Sequence, residues 1–234
     1  ACNMVNTGNR EDIYQFVADS MNAILDATNK VTRKDVKKPV MTTFYNSEAN
    51  PKETFNKHQL AAFYESLDDT LPGALDVMEA VNQYWDYESD VHMWTLPDGH
   101  VARVPVTEMN NIRIEVDELN HRTFTYRYNK QQPSENYRSL VANIVHSVDG
   151  YVAREMVRRC HPMKIELVHI HDCFVFSPDY LQVVSQTYRE ILAEIANSDL
   201  LSDILSEISG NYVPVTKLST DLAKDILNSE YMLS

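Results

Sequence analysis

The sequence has no apolar run approaching the roughly 20 residues that a bilayer-spanning helix needs, which argues against an integral helical membrane protein. Ala1–Asn9 lacks the basic, apolar, small-residue succession of a secretory leader, so a cytoplasmic setting is expected. Cysteine is scarce. Cys2, Cys160 and Cys173 are unevenly spaced, match no metal-finger pattern and suit a reduced environment. There are no internal repeats or low-complexity tracts. Positive charge is in deficit as well, with a formal net charge of −13. Averaged over the whole surface, that balance argues against a nucleic acid partner, because domains that bind one normally carry a basic footprint.

What is present redirects that conclusion. Hydrophobic content of 44% and charged content of 24% are those of a soluble globular protein, and 234 residues suffice for one domain or two small ones. The basic residues are concentrated, with Lys30, Arg33, Lys34, Lys37 and Lys38 interrupted only by Asp35. Local potential, rather than the total, decides where a polyanion docks.

Apolar periodicity predicts a helix over 11–27, with Asn9 as a candidate cap and Asp12 in its first turn. Further helices are expected over 32–44, 55–69 and 72–86, the last opening on Pro72. Turn residues Pro97-Asp98-Gly99 then join Val91–Leu96 to His100–Val106 as a hairpin, and alternation over 111–128 predicts a second, longer one. A long helix is expected over 135–159. Short strands follow at Ile165–Ile170 and Cys173–Phe176, then a helix capped by Ser177 that runs to Ala196. Shorter helices are expected near 199–208 and 219–229. The class is α+β, mainly helical, with a small antiparallel sheet.

Three stretches carry candidate chemistry. On the helix over 32–44, Arg33 and Lys37 are one turn apart, and Tyr45 follows two turns later, displaced by about 80° around the axis. One stripe thus offers a guanidinium, an ammonium and a phenol to an elongated ligand such as a nucleoside triphosphate. The commoner explanation of such spacing is a solvated basic helix with Tyr45 packed in the core. Asp172 sits between two apolar strands, where burial is costly without a partner such as Mg²⁺, or else it is an exposed turn residue. His146 and Asp149 lie in His146-Ser147-Val148-Asp149-Gly150 on the long helix, where a histidine is more often packed or on the surface than a ligand.

Their succession is more specific than any one of them. Arg33…Lys37…Met41-Thr42…Tyr45, then His146-Ser147-Val148-Asp149-Gly150, then His171-Asp172-Cys173-Phe174 resembles the phage and mitochondrial single-subunit RNA polymerase family. Asp12-Ile13-Tyr14, Trp94…Pro97-Asp98-Gly99 and the apolar tail Tyr231-Met232-Leu233 extend the likeness over essentially the whole chain. Asn46 stands where the family has Gly, and Cys173 where it has Ser. The family's first palm Asp has no counterpart here.

The resemblance implies the fingers helices and part of the palm of a right-hand polymerase. Fingers helices would occupy 1–89, hairpins 90–132, including one at the position of a promoter-reading loop, and the palm part 133–234. It implies a DNA-directed RNA polymerase using DNA template, RNA product, NTPs and two Mg²⁺ ions. Asp172 would be the metal ligand, and Asp172, Lys37 and Tyr45 catalytic. Arg33, Lys37, Tyr45 and His146 would bind the NTP, and His171 would meet the RNA 3′ end. A second polypeptide or an upstream segment would supply the first palm Asp, the thumb and the amino-terminal domain, as in a heterodimeric bacteriophage enzyme in an infected host cell. A family A-like DNA polymerase fragment and a non-catalytic nucleic-acid-binding assembly subunit are the competing readings.

Overall fold

The computed structural model describes residues 3–106, 108–130, 137–170 and 172–232. Helix α1 (Ile13–Ile24) begins one residue after Asp12, whose carboxylate accepts hydrogen bonds from the backbone N–H groups of Tyr14 and Gln15. Asp12 is therefore the cap itself, and the helix is shorter at both ends than periodicity suggests. Helix α2 (Arg33–Phe44) starts at Thr32 through a reciprocal capping box with Asp35. Pro39 sits inside it without breaking it, and the Thr43 hydroxyl donates to the Pro39 carbonyl at 2.8 Å.

The end of α2 is built by backbone geometry. Asn46 adopts a left-handed conformation with φ of 62°. Its N–H donates to the Thr43 carbonyl at 2.8 Å, and that of Ser47 to the Thr42 carbonyl at 2.9 Å. This paired closure is a Schellman motif, which favours Gly or Asn at the left-handed position. The Asn46 amide also donates to the Asn82 side chain at 2.8 Å, fixing where the turn sits.

A short helix α3 (Ala49–Thr54), not foreseen in the sequence, precedes α4 (Lys57–Thr70) and α5 (Pro72–Asn82). Val17, Ala18 and Met21 of α1, Val36 and Val40 of α2, and Ala62, Phe63 and Leu67 of α4 form a first core. Leu75 packs on that core, whereas Val81, further along α5, belongs to a second one.

The second core gathers the rest. Strands β1 (Val91–Thr95) and β2 (Val101–Pro105) form the expected hairpin, and β3 (Glu108–Val116) pairs with β4 (Arg122–Lys130) in a longer one. Helix α6 (Arg138–Cys160) is followed by the short hairpin β5 (Val168–Ile170) and β6 (Cys173–Val175). Among the described residues these are three separate two-stranded antiparallel sheets. Ser177 does not cap the next helix. Its hydroxyl donates to Asp179, and a 3₁₀ turn over Pro178–Tyr180 leads into α7 (Leu181–Asn197). Helices α8 (Leu200–Ser209) and α9 (Leu222–Leu227) complete the order.

Trp94, Leu96, Leu140, Ile144, Met156, Ile191 and Ile204 interlock at the centre of this core. Arg159 ties α6 to α7, donating to Glu155 at 3.0 Å and to Glu194 at 2.8 Å. No helix among the described residues is long and apolar enough to cross a membrane. The expected class, α+β and mainly helical, is the one observed.

Candidate active-site cleft

The end of α2, one face of α6, the β5–β6 hairpin and α7 enclose a cleft of about 700 Å³. Tyr45, His146, Asp149, Gly150, His169, Asp172, Phe174 and Tyr188 line it. Tyr45, His146 and Asp172, which the sequence marks in three distant stretches, are thus neighbours in space.

Tyr45 reaches the cleft because the left-handed turn at Asn46 ends α2 one residue beyond it. Its side chain is not core, being 39% exposed, and its ring lies 4.9 Å from the His146 ring, centroid to centroid, at an interplanar angle of 57°. This decides against the bland reading of Tyr45 as a packed residue.

On α6, His146, Asp149, Gly150 and Ala153 follow the spacing of a single helical face and all line the cleft. Ser147 has a different role. Its hydroxyl accepts from the indole N–H of the fully buried Trp94 at 3.0 Å and donates to the Ile144 carbonyl at 2.8 Å. A Cβ at Gly150 would stand 3.2 Å from a guanidinium nitrogen of Arg154. That guanidinium grips Asp98 of the Pro97-Asp98-Gly99 turn through Nε and Nη2, and holds its carboxyl below the ordinary range. The tryptophan-containing hairpin is therefore a brace for the cleft-lining helix.

Asp172 occupies the turn between β5 and β6 and is exposed to the cleft. Partial burial first, and the neighbouring Asp172 carboxylate second, push the Asp149 carboxyl above its ordinary value, while His146 opposes them. Tyr188, on the α7 wall, packs edge-on against Phe174 with centroids 6.0 Å apart. Burial, then Asp149, then Asp172 raise its phenol. The floor of the cleft is thus a region of negative potential with hard oxygen donors, which suits a divalent cation of the Mg²⁺ type.

The cations of α2 stand apart from the lining. The Arg33 guanidinium lies 5.4 Å and the Lys37 ammonium 5.9 Å from the Tyr14 ring centroid. Arg33 also donates to Asp12 at 2.5 Å, whereas Lys37 has no carboxylate partner among the described residues. Both stand beside Tyr14 of α1, on the part of α2 that precedes Tyr45. His171 lies outside the described residues. The sequence signals no role for His169 or Tyr188, and marks Asp149 only as part of His146-Ser147-Val148-Asp149-Gly150; nothing in the order of residues indicates that α7 brings Tyr188 to the same place.

Among the described residues, one group of three metal-ligand types lies close together, and it is not in this cleft. Glu115, Asp117 and His121 meet at the exposed tip of the β3–β4 hairpin, with His121 Nδ1 at 2.9 Å from Glu115 and 3.2 Å from Asp117.

Comparison with curated protein sequences gives no match. A sequence model of the family described as DNA-dependent RNA polymerase matches residues 76–231. The matched span holds β1 to β6 and the α6, β5–β6 and α7 walls of the cleft; α2 precedes it. With most of its length matched, this chain belongs to the DNA-dependent RNA polymerase family.

Proposed function

We propose that the cleft is the nucleotide-addition site of a DNA-directed RNA polymerase, contributed by this chain as fingers helices over 1–89, hairpins over 90–132 and a palm part over 133–234. The observation that carries this reading is the convergence of Tyr45, His146 and Asp172 on one cleft. In the reaction, the RNA 3′-oxygen bonds to the α-phosphorus of an NTP while the bond to pyrophosphate breaks and the hydroxyl proton passes to solvent water.

The chain's residues divide this work by their chemistry. Arg33 and Lys37 supply positive charge along α2 for the triphosphate. The Tyr45 hydroxyl and the His146 ring, held at a tilt of 57° to each other, receive the ribose, where the 2′-hydroxyl separates NTP from dNTP. Asp172 holds Mg²⁺, the family's two-ion arrangement requiring a further Asp from another polypeptide or an upstream segment. When bound, Mg²⁺ lowers the pKa of the attacking hydroxyl and neutralises the departing pyrophosphate. His171 is assigned to the RNA 3′ end through the family resemblance alone.

Surface chemistry supports an added partner. Val168, Ile170 and Val175 of the short β5–β6 hairpin are 63%, 66% and 56% exposed. A two-stranded hairpin this short is marginal by itself, and its free edges accept a further strand. A strand carrying the missing Asp, from a companion that also bears thumb and amino-terminal parts, fits that edge.

The test uses the polymerase complex purified through a tag on this chain, with an RNA primer annealed to single-stranded DNA and Mg²⁺. Extension with NTPs in preference to dNTPs is expected. Preference for dNTPs would instead indicate a family A-like DNA polymerase, and nucleic acid binding without extension an assembly subunit.

A further inference from the structure

Two side chains of α6 turn away from the cleft and hold the β1–β2 hairpin. Ser147 and Arg154 are two turns apart, so they lie within about 20° of each other around the helix axis. The cleft-lining His146, Asp149, Gly150 and Ala153 occupy the neighbouring face, about a quarter turn away. Ser147 accepts from the Trp94 indole N–H at 3.0 Å, and Arg154 donates to Asp98 in the Pro97-Asp98-Gly99 turn at 3.2 Å. None of the residues over 91–105 lines the cleft itself.

The hairpin is a firm reference for these bonds. Trp94, Leu96, Val104 and Val106 are buried in the second core, and the Thr95 N–H donates to Glu207 of α8 at 2.8 Å. The Ser147 hydroxyl is aimed as well: it donates to the Ile144 carbonyl at 2.8 Å, which turns an oxygen lone pair toward the indole. Packing of Leu140, Ile144 and Met156 holds α6 on the core without direction, whereas these bonds fix an angle. Side-chain tips lie about 5–6 Å from a helix axis, so a roll of about 20° displaces them by about 2 Å. A shift of that size in His146 spoils its ring contact with Tyr45, now 4.9 Å between centroids. Reacting groups tolerate misplacement of only about 1 Å.

We propose that Trp94 and Ser147 are positioning residues for nucleotide addition. Their hydrogen bond, with the Asp98–Arg154 pair two turns further on, sets the roll of α6 and so the place of His146 opposite Tyr45. This positioning role rests on the reading of the cleft as an NTP site.

The experiment compares wild type with Ser147→Ala, Ser147→Thr, Trp94→Phe and the Ser147→Ala/Trp94→Phe pair, each in the complex purified through this chain. Ile226→Val, in the small core between α7 and α9, loosens packing away from the hairpin and serves as the control. KM and kcat for UTP, affinity for the primed template and the thermal midpoint are measured for each. Ser147→Ala should raise KM for UTP about fivefold, the effect of one lost hydrogen bond, with template affinity unchanged. Trp94→Phe should do the same, and the pair should be no worse than the more impaired single variant, since both remove one bond. Ser147→Thr keeps the hydroxyl and should stay within about twofold of wild type. Ile226→Val should lower the midpoint and leave KM alone. Ser147→Ala against Ser147→Thr decides the matter even if Trp94→Phe does not fold. A KM that merely follows the thermal midpoint, with Ile226→Val on the same line, overturns the inference, as do additive effects in the pair. A wild-type complex that extends with no nucleotide overturns the polymerase reading itself, whereas a wild type that extends beside indifferent variants overturns the positioning role alone.

Discussion

Tyr45 and His146 face each other across the junction of the two cores, one at the end of α2 and the other on α6, with ring centroids 4.9 Å apart. The contact joins the helix that carries Arg33 and Lys37 to the helix whose next turn carries Asp149. On the proposed reading of the cleft, a ligand held by the α2 cations would be presented to the α6 face, so that a change at the Tyr45 hydroxyl is expected to act on sugar selection rather than on folding.

Tyr45→Phe keeps the ring and its packing against His146 while removing one hydroxyl. We expect rNTP-over-dNTP preference to fall by roughly an order of magnitude, the equivalent of a lost hydrogen bond of about 1 kcal/mol or more. Competition between UTP and dUTP during primer extension measures it. Unaltered preference would transfer the role to His146 alone.

Asp172→Asn retains the size of the turn residue between β5 and β6 but weakens a Mg²⁺ ligand. Extension should drop by about 10² or more, with DNA binding in a gel-shift assay little changed. Near-normal extension at ordinary Mg²⁺ would remove Asp172 from the metal site.

Asn46 tests the geometry that delivers Tyr45 to the cleft. With φ at 62° and a side-chain bond to Asn82, replacement by Ala should destabilise the chain by about 1–2 kcal/mol. Gly, which adopts this conformation freely and loses only the bond to Asn82, should be more stable than Ala by about 1 kcal/mol. Urea unfolding midpoints decide between them, and equal midpoints for Ala and Gly would show that the turn is not the determinant.

The Asp98–Arg154 pair gives a pH signature. The bond from Arg154 keeps the Asp98 carboxyl below its ordinary value of 3.8 in the folded chain. The stabilisation is therefore complete above 3.8 and disappears as pH falls through the lower, folded value. Since the Arg154 side chain is 39% exposed, screening limits the pair to about 1 kcal/mol. Arg154→Gln should lower stability by that amount at neutral pH, and the two proteins should converge in acid. A gap that stays constant with pH would refute the assignment.

Much of this arrangement is legible in the residues themselves. Thr32 with Asp35, Pro72 at a helix start, and Pro97-Asp98-Gly99 between apolar runs are local signals, and each element appears where its signal lies. Local signals fail where competing groups are equally local. Asp12 outcompetes Asn9 as the cap of α1, and Pro178 begins a 3₁₀ turn before the helix proper. Tertiary neighbours left no such trace. Nothing near Tyr188 indicates that it will line the same cleft as Asp149 and Asp172, because that proximity arises from packing Val184 and Ile191 of α7 into the second core.

The isolated chain should not polymerise RNA. Mg²⁺ ions and a triphosphate together need more carboxylate anchoring than the Asp172 turn provides, since two-ion phosphoryl transfer requires shared ligands that set the ions a few ångströms apart. Asp149 stands nearby, and its repulsion with Asp172 makes the pair harder to load without further donors. The exposed side chains of Val168, Ile170 and Val175 point the same way, because an uncovered apolar hairpin beside the Asp172 turn invites aggregation in the absence of its cover. The purified 234-residue chain should therefore be poorly soluble and inactive on a primed single-stranded DNA template with Mg²⁺ and NTPs. Addition of an Asp-bearing companion should restore both solubility and extension, and Asp→Asn in that companion should abolish extension while leaving solubility restored. Robust extension by the chain alone would mean that the second carboxylate lies within it, and Asp149→Asn would then be expected to eliminate activity.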